Sequence, residues 1–116
     1  MARQSEFADF VAELLEPFGG VSVRGMFGGF GLFRDGVMFG LIADVALYLK
    51  ADDENGADFD AAGMGAFVYR RKGRDVALSY REAPSELFDD PDELVAWARR
   101  AHRAALRAQA SGKGRG

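Results

Sequence analysis

The feature that most constrains the fold is the stretch 26–50, in which glycine and apolar residues are interrupted once by Asp35-Gly36. An Asp-Gly pair between two alternating apolar runs is a strong hairpin signal, because a type I′ turn requires positive φ at both central residues. The pattern predicts strands over 30–34 and 37–43 and a further antiparallel strand over 45–50. We expect the rest of the chain to cover or extend this meander.

Helical periodicity marks both ends of the chain. Over residues 4–17 the apolar side chains recur at i, i+3, i+4 and i+7, which is typical of a helix with one core face. A second helix is predicted to begin at Asp90, which can cap it, with Pro91 at the first position and Glu93 at the third. Its predicted buried positions are Leu94, Trp97, Ala98, Ala101 and Ala105.

Shorter segments extend the predicted sheet. Residues 21–24 alternate and form a first strand, whereas 67–71 and 76–81 form a second hairpin around Lys72-Gly73. A short helix is expected over 57–62. The sequence therefore predicts a two-layer α+β fold, in which an antiparallel sheet of five to six strands packs against the N- and C-terminal helices.

Strict alternation assigns the meander residues to two faces. One face is predicted to carry Val37, Phe39, Leu41, Ala43, Val45, Leu47 and Leu49. The other is predicted to carry Met38, Gly40, Ile42, Ala46 and Tyr48. We expect one face to pack on the helices and the other to be covered by a partner or a second copy of the chain, an interpretation that exposed residues such as Ile42 or Tyr48 would support if they form one apolar patch.

Length and composition restrict the class of protein. The 116 residues suffice for one domain, which we expect over 1–108, with a glycine-rich and disordered tail over 109–116. The net charge of −3 argues against a general binder of nucleic acid or anionic membranes. There is no cysteine, and no secretory signal or transmembrane segment is recognisable, so we expect a cytoplasmic protein that does not bind membranes.

Candidates for chemistry are sparse. Gly25, Gly28, Gly29 and Gly31 lack the Gly-Lys-Ser/Thr ending of a phosphate loop, so a bulge, a bend or a close backbone approach is the preferred interpretation. The single histidine, His102, is expected on the surface near a helix C-terminus. The acids at 52–60 lack calcium-loop spacing. We predict no catalytic, cofactor-binding or metal-binding residues, and no enzyme.

Basic residues form two groups. Arg70, Arg71, Lys72 and Arg74 crowd the tip of the second hairpin, and Arg99, Arg100, Arg103 and Arg107 follow one another on the last helix. Residues 100, 103 and 107 share a helix face, which could contact phosphates. No reader of base edges is evident, and a solvated helix face is the alternative interpretation. These eight residues are the candidate nucleic-acid contacts.

Several ordered motifs resemble the N-terminal domain of the TfoX/Sxy family of competence regulators. They lie at residues 26–33 (MFGGFGLF), 35–39 (DGVMF), 47–50 (LYLK), 67–74, 78–80 and 90–100. The resemblance implies a two-layer α+β domain, in agreement with the independent prediction above. It also singles out Met26, Phe27, Gly28 and Gly29 as a candidate surface for binding.

The resemblance also carries expectations about function. Two-domain members regulate natural transformation with a transcription regulator, the cyclic-AMP receptor protein, as their partner. The present 116 residues leave no room for their second, helical domain, so we expect a stand-alone N-terminal domain. The resemblance implies a non-catalytic module that binds a protein partner, with homodimerisation or direct nucleic-acid binding as alternatives.

Overall fold

The computed structural model describes residues 2–26 and 28–114, without the side chains of 2, 69–71, 76, 77 and 112–114. The elements of this part of the chain are α1 (Ala2–Leu14), β1 (Val21–Met26), β2 (Gly29–Arg34), β3 (Val37–Ala43), β4 (Ala46–Lys50), α2 (Gly56–Ala61), β5 (Ala66–Arg71), β6 (Arg74–Glu82) and α3 (Pro91–Gly114). Short 3-10 helices occupy Glu16–Phe18 and Ser85–Asp89.

The strands form one antiparallel sheet with the order β1-β2-β3-β4-β6-β5. α3 packs mainly across β3 and β4, and α1 packs beside it against β1 and β3. Both long helices therefore cover the same face of the sheet, which we call the helix face. The opposite side is the open face. The predicted two-layer α+β architecture, with up to six antiparallel strands, is confirmed.

Three of the hairpins, β2–β3, β3–β4 and β5–β6, close with two-residue turns that have positive φ at both positions. The angles are 53° and 76° at Asp35-Gly36, 52° and 56° at Asp44-Val45, and 52° and 78° at Lys72-Gly73. The type I′ turn predicted at Asp35-Gly36 is confirmed, and Lys72-Gly73, where the sequence predicted a second hairpin, has the same positive angles. Val45 belongs to the remaining turn, and β4 begins only at Ala46, one position later than the sequence predicted.

A β-bulge in β3 overturns part of the predicted alternation. Leu32 pairs with Gly40 whereas Phe33 pairs with Met38, so Phe39 is an extra residue on β3. Phe39 and Ile42 consequently both project into the core, with no exposed surface, and the open face receives Met38 and Leu41. The expected exposure of Ile42 is therefore wrong, and Leu41 exchanges faces with it.

His102 is buried rather than exposed, with 6% of its surface accessible. Its ring makes edge-to-face contacts with Phe18 and Phe39, and Nε2 lies 3.1 Å from the Arg34 carbonyl oxygen. Since that oxygen can only accept, Nε2–H is the donor. The predicted surface position is wrong because His102 shares its helix face with Ala98 and Ala105, and α3 continues well past it.

The start of α3 follows its sequence signals more closely than its end. Asp90 Oδ1 accepts a hydrogen bond from Glu93 N at 3.4 Å, and Pro91 occupies the first position. The helix extends to Gly114. Gln109, Ala110 and Ser111 continue the helix before the glycines. The division into a domain at 1–108 and a tail stays a prediction.

Candidate interaction surface

The open face of the sheet holds an apolar cavity of about 210 Å³. It is lined by Met26, Gly29, Met38, Leu41, Ile42, Ala43, Phe67 and Leu78. Met26 lies on one outer strand, β1, and Phe67 lies on the other, β5. Residues of both outer strands reach the same cavity because the sheet curves around it. The curvature follows from the bulge in β3 and a second register shift in β5.

Aromatic and sulfur-containing side chains form the walls of this cavity. Tyr48 on β4 meets Phe67 in a T-shaped contact with ring centroids 4.9 Å apart. The Met26 and Met38 thioether sulfurs both lie near Gly31, where an added Cβ would stand 2.6 and 3.3 Å from them. Methionine side chains adapt easily to the shape of an apolar group. The cavity can therefore accommodate an apolar side chain.

Close backbone approach explains the most constrained glycine of the motif. A Cβ on Gly29 would stand 2.1 Å from the Ile42 carbonyl oxygen, a separation that forces β2 away from β3. Gly28 adopts a φ of 75° in the β1–β2 turn, with open space where a side chain would be. These two positions support the structural interpretation of the glycine cluster.

The first helix holds two turns together beside the cavity. Gln4 Nε2 donates to the Gly28 carbonyl oxygen at 2.6 Å, and Gln4 Oε1 accepts from Val45 N at 2.9 Å. One amide side chain thus bridges the β1–β2 turn and the β3–β4 turn. The bridge fixes the rim of the cavity on the side of Gly29 and Ala43.

Several polar side chains lie on the strands next to the cavity, and none of them lines it. Tyr80 Oη donates to the Met38 carbonyl oxygen at 3.4 Å, and burial raises the pKa of its phenol. Lys50 Nζ contacts Ser79 Oγ, and partial burial lowers its pKa. Burial, then the charges of Glu82 and Asp44, raise the pKa of Tyr48. The two tyrosine phenols therefore stay neutral over the physiological pH range, and the residues that line the cavity carry no titratable group.

The predicted family-motif surface contributes directly to this region. Met26 and Gly29 line the cavity, and Gly28 is exposed at its rim. Phe27 lies outside the described residues. The role of the motif in binding stays a prediction, but the structure places its described members around a cavity that also receives Phe67 and Leu78 from a distant hairpin.

The basic stripe predicted on α3 is largely engaged within the domain. Arg107 donates to both carboxylate oxygens of Asp52, at 2.7 and 2.9 Å, and lies 3.2 Å from Glu54. Arg100 pairs with Asp58 at 3.2 Å. Paired arginines have less charge available for phosphates.

The other candidate contacts differ in their surroundings. The Arg99 guanidinium lies 5.5 Å from the Phe18 ring centroid, and Arg103 is exposed. Lys72 and Arg74 are exposed at the β5–β6 turn, whereas the side chains of Arg70 and Arg71 lie outside the described residues. Nucleic-acid contact through these eight residues stays a prediction.

A pH-dependent contribution to stability is expected from the Asp52–Arg107 pair. The hydrogen bonds from Arg107 lower the pKa of Asp52 to about 2. Because this folded value is below that of an unfolded aspartate, about 4, the ionised carboxylate stabilises the fold above pH 4 and the effect disappears as the pH falls toward 2. We expect Asp52→Asn to reduce the free energy of unfolding at pH 7 by about 1 kcal/mol, since both partners are partly exposed.

Urea unfolding at pH 7 and near pH 2 tests this expectation. The Asn amide oxygen can still accept the hydrogen bond that Asp52 Oδ1 receives from Glu54 N. Asp53→Asn is the matched control, because Asp53 is an exposed neighbour. A deficit of Asp52→Asn that is as large at pH 2 as at pH 7 would contradict the assigned role of the charge.

The described residues offer no assembled metal site. Over residues 2–26 and 28–114 no group of three or more histidine, aspartate and glutamate side chains is placed to hold a metal ion. None of the helices in the same ranges is both long and apolar enough to cross a bilayer.

Fold and surface together define a small α+β domain with an apolar cavity on the open face of a curved sheet. The comparisons with known proteins agree: the TfoX N-terminal domain matches residues 13–105. The chain therefore belongs to the TfoX N-terminal domain family.

Two relatives give the extent of the similarity. The chain is 34% identical over 86 residues to the DNA transformation protein TfoX1 of Aliivibrio fischeri, a match that covers 74% of this chain and 39% of that protein. It is 27% identical over 95 residues to Protein Sxy of Escherichia coli K12, covering 82% of this chain and 46% of Sxy. The chain thus matches less than half the length of each relative.

Proposed function

We propose that this domain is a non-catalytic regulatory module of DNA transformation that binds a protein partner through the open face of its sheet. Family membership supports the biological context, because one relative is named as a DNA transformation protein. The observation that carries the binding mode is the apolar cavity of about 210 Å³ between the two outer hairpins. It is smaller than the cavities of about 300–1,000 Å³ that hold drug-sized ligands, which favours a single inserted side chain.

The architecture favours this face over the helix face. α1 and α3 already cover the helix face. Salt bridges join α3 to the β4–α2 connection through Arg107 and to α2 through Arg100. An apolar anchor that enters a preformed cavity with a polar group nearby, here the Tyr80 hydroxyl on the Met38 backbone, is a common arrangement at the energetic centre of protein interfaces. The proposed anchor site is therefore the cavity bordered by Met38 and Phe67.

A transformation assay tests the proposal. In Aliivibrio fischeri that retains TfoX1, overproduction of this domain is expected to lower the transformation frequency, because both proteins compete for the partner. Met38→Gln places an amide in the cavity and is expected to weaken the complex by about tenfold, which relieves the competition. Leu106→Gln is the matched control, since Leu106 is 43% exposed on α3.

Each result of this assay tests one part of the proposal. An unchanged transformation frequency with the parent domain would contradict the proposed context. Equal effects of the parent and the Met38→Gln domain, at equal cellular amounts, would exclude the cavity as the binding site. Pairing of two copies through the same face stays a prediction, and sedimentation of the purified domain over a range of concentrations measures it.

A further inference from the structure

The outer edge of the sheet at β5 is not explained by packing within the domain. In the part of the chain that the structure describes, β5 is the last strand of the order and pairs with β6. α3 packs mainly across β3 and β4, and Val68 of β5 remains 51% exposed. Exposed edges of this kind are where an extended segment of another chain can pair.

The register defines which backbone groups point outward. Arg71 and Arg74 flank the two-residue turn and form a hydrogen-bonded pair, so the next such pair is Tyr69 with Val76. The residue at 70 lies between these two pairs, and Val68, opposite Ala77, is the next position beyond Tyr69. Their N–H and C=O groups are therefore directed toward the open edge rather than toward β6.

Charge restricts what can pair there. Four of the five residues at 70–74 are basic, with Asp75 opposite Arg70 in the register. Lys72 and Arg74 are exposed. Antiparallel pairing of two β5 strands centred on residues 70–71 would bring these like charges together, which disfavours that register for a second copy. A negatively charged segment would instead be attracted.

We propose that β5 accepts an extended acidic segment of a protein partner as an added outer strand. This inference rests on the proposed function and specifies the chemistry of its partner. Alternate side chains of the added strand lie beside Phe67, at the wall of the cavity, where an apolar residue can enter. A nucleic-acid backbone has no amide groups with which to pair with this edge, and Arg100 and Arg107 on α3 are already paired with acids.

Selection from a phage-displayed library of random dodecapeptides tests the inference. The expected sequences alternate apolar and acidic residues. For a synthetic copy of an enriched peptide, amide chemical shifts of the domain are expected to change at β5, and fluorescence anisotropy gives the affinity. Val68→Pro removes one outward N–H while leaving the hydrogen bonds to β6, and is expected to weaken binding at least about tenfold.

Two further variants separate the contributions. Val68→Thr retains the N–H and strand propensity, so its affinity is expected to stay within about threefold of the parent. Lys72→Glu combined with Arg74→Glu is expected to weaken binding about tenfold through charge reversal. Circular dichroism and thermal unfolding verify that each variant is folded, and Val68→Ala replaces Val68→Thr if the threonine variant is not.

The contrary outcomes are equally defined. The inference is overturned if no peptide is enriched, if the enriched peptides are not acidic, or if Val68→Pro binds them as well as Val68→Thr does. It is also overturned if a DNA duplex displaces the peptide and shifts the same amides. The transformation assay separates this inference from the proposed function. If Met38→Gln abolishes the lowering of the transformation frequency by the overproduced domain whereas Val68→Pro does not, the edge inference fails and the proposed function stands. If neither variant alters that lowering, both fail.

Discussion

Replacing Gly29 by alanine is expected to reduce the free energy of unfolding by about 3 kcal/mol or more, because its added methyl group would make the closest contact among the glycines from Gly19 to Gly73. The new Cβ would stand 2.1 Å from the Ile42 carbonyl oxygen. Because that oxygen belongs to the backbone of β3, the clash can be removed only by separating two paired strands, not by rotating a side chain. Urea unfolding monitored by circular dichroism measures the loss.

A second glycine of the same motif provides the control. Gly25 has negative φ, and an added Cβ would meet only the Phe30 ring edge at 4.0 Å. Gly25→Ala is therefore expected to change the stability by less than about 0.5 kcal/mol. A comparable loss in both variants would contradict the assigned role of the close approach of β2 to β3 at position 29.

Replacing Phe39 by alanine is expected to cost about 3–5 kcal/mol. Phe39 has no exposed surface, its ring meets the Phe18 ring at 5.6 Å, and it also contacts His102. Its removal leaves a cavity where β3, α3 and the Glu16–Phe18 turn meet. The rigid groups around it, strand and helix backbone included, limit how far this cavity can collapse.

Phe10→Ala is the matched substitution for comparison. Phe10 is 42% exposed and contacts Phe7 and Phe88 at the surface of α1, so we expect a loss of about 1 kcal/mol. Thermal unfolding of both variants provides the measurement. Equal losses of stability in the two variants would contradict the role of Phe39 as a central core residue.

The predictable part of this structure is the part that depends on local chemistry. Asp35-Gly36 and Lys72-Gly73 determine their own turns, and Asp90-Pro91 determines the start of a helix, so hairpins, helices and the sheet were accessible from short stretches of sequence. The bulge at Phe39 was not, because nothing in residues 37–43 marks an extra residue. Its position depends on which β2 residues pair opposite, as the Leu32–Gly40 pair shows.

The candidate interaction surface could be predicted only in part, because it also depends on residues that are distant in the sequence. Motif residues Met26 and Gly29 were identified from the resemblance, whereas Phe67 and Leu78 join them only through sheet curvature. The salt bridge of Arg107 with Asp52 spans 55 positions of sequence, and helical spacing alone could not distinguish a paired arginine from a free one. The burial of His102 could have been predicted, because its spacing places it on the same helix face as Ala98 and Ala105.

The bulge in β3 has a consequence for how this family can change length during evolution. Deletion of Phe39 would restore strict alternation without changing the faces of Met38, Gly40, Leu41 or Ile42, but it would remove the core phenylalanine. Deletion of Gly40 would instead bring Phe39 opposite Leu32, where even an added Cβ at Gly40 would stand 3.0 Å from the Leu32 side chain. We expect sequences of this lineage to gain and lose residues freely at the two-residue turns and the β4–α2 segment, while the residue count of β3 stays constant.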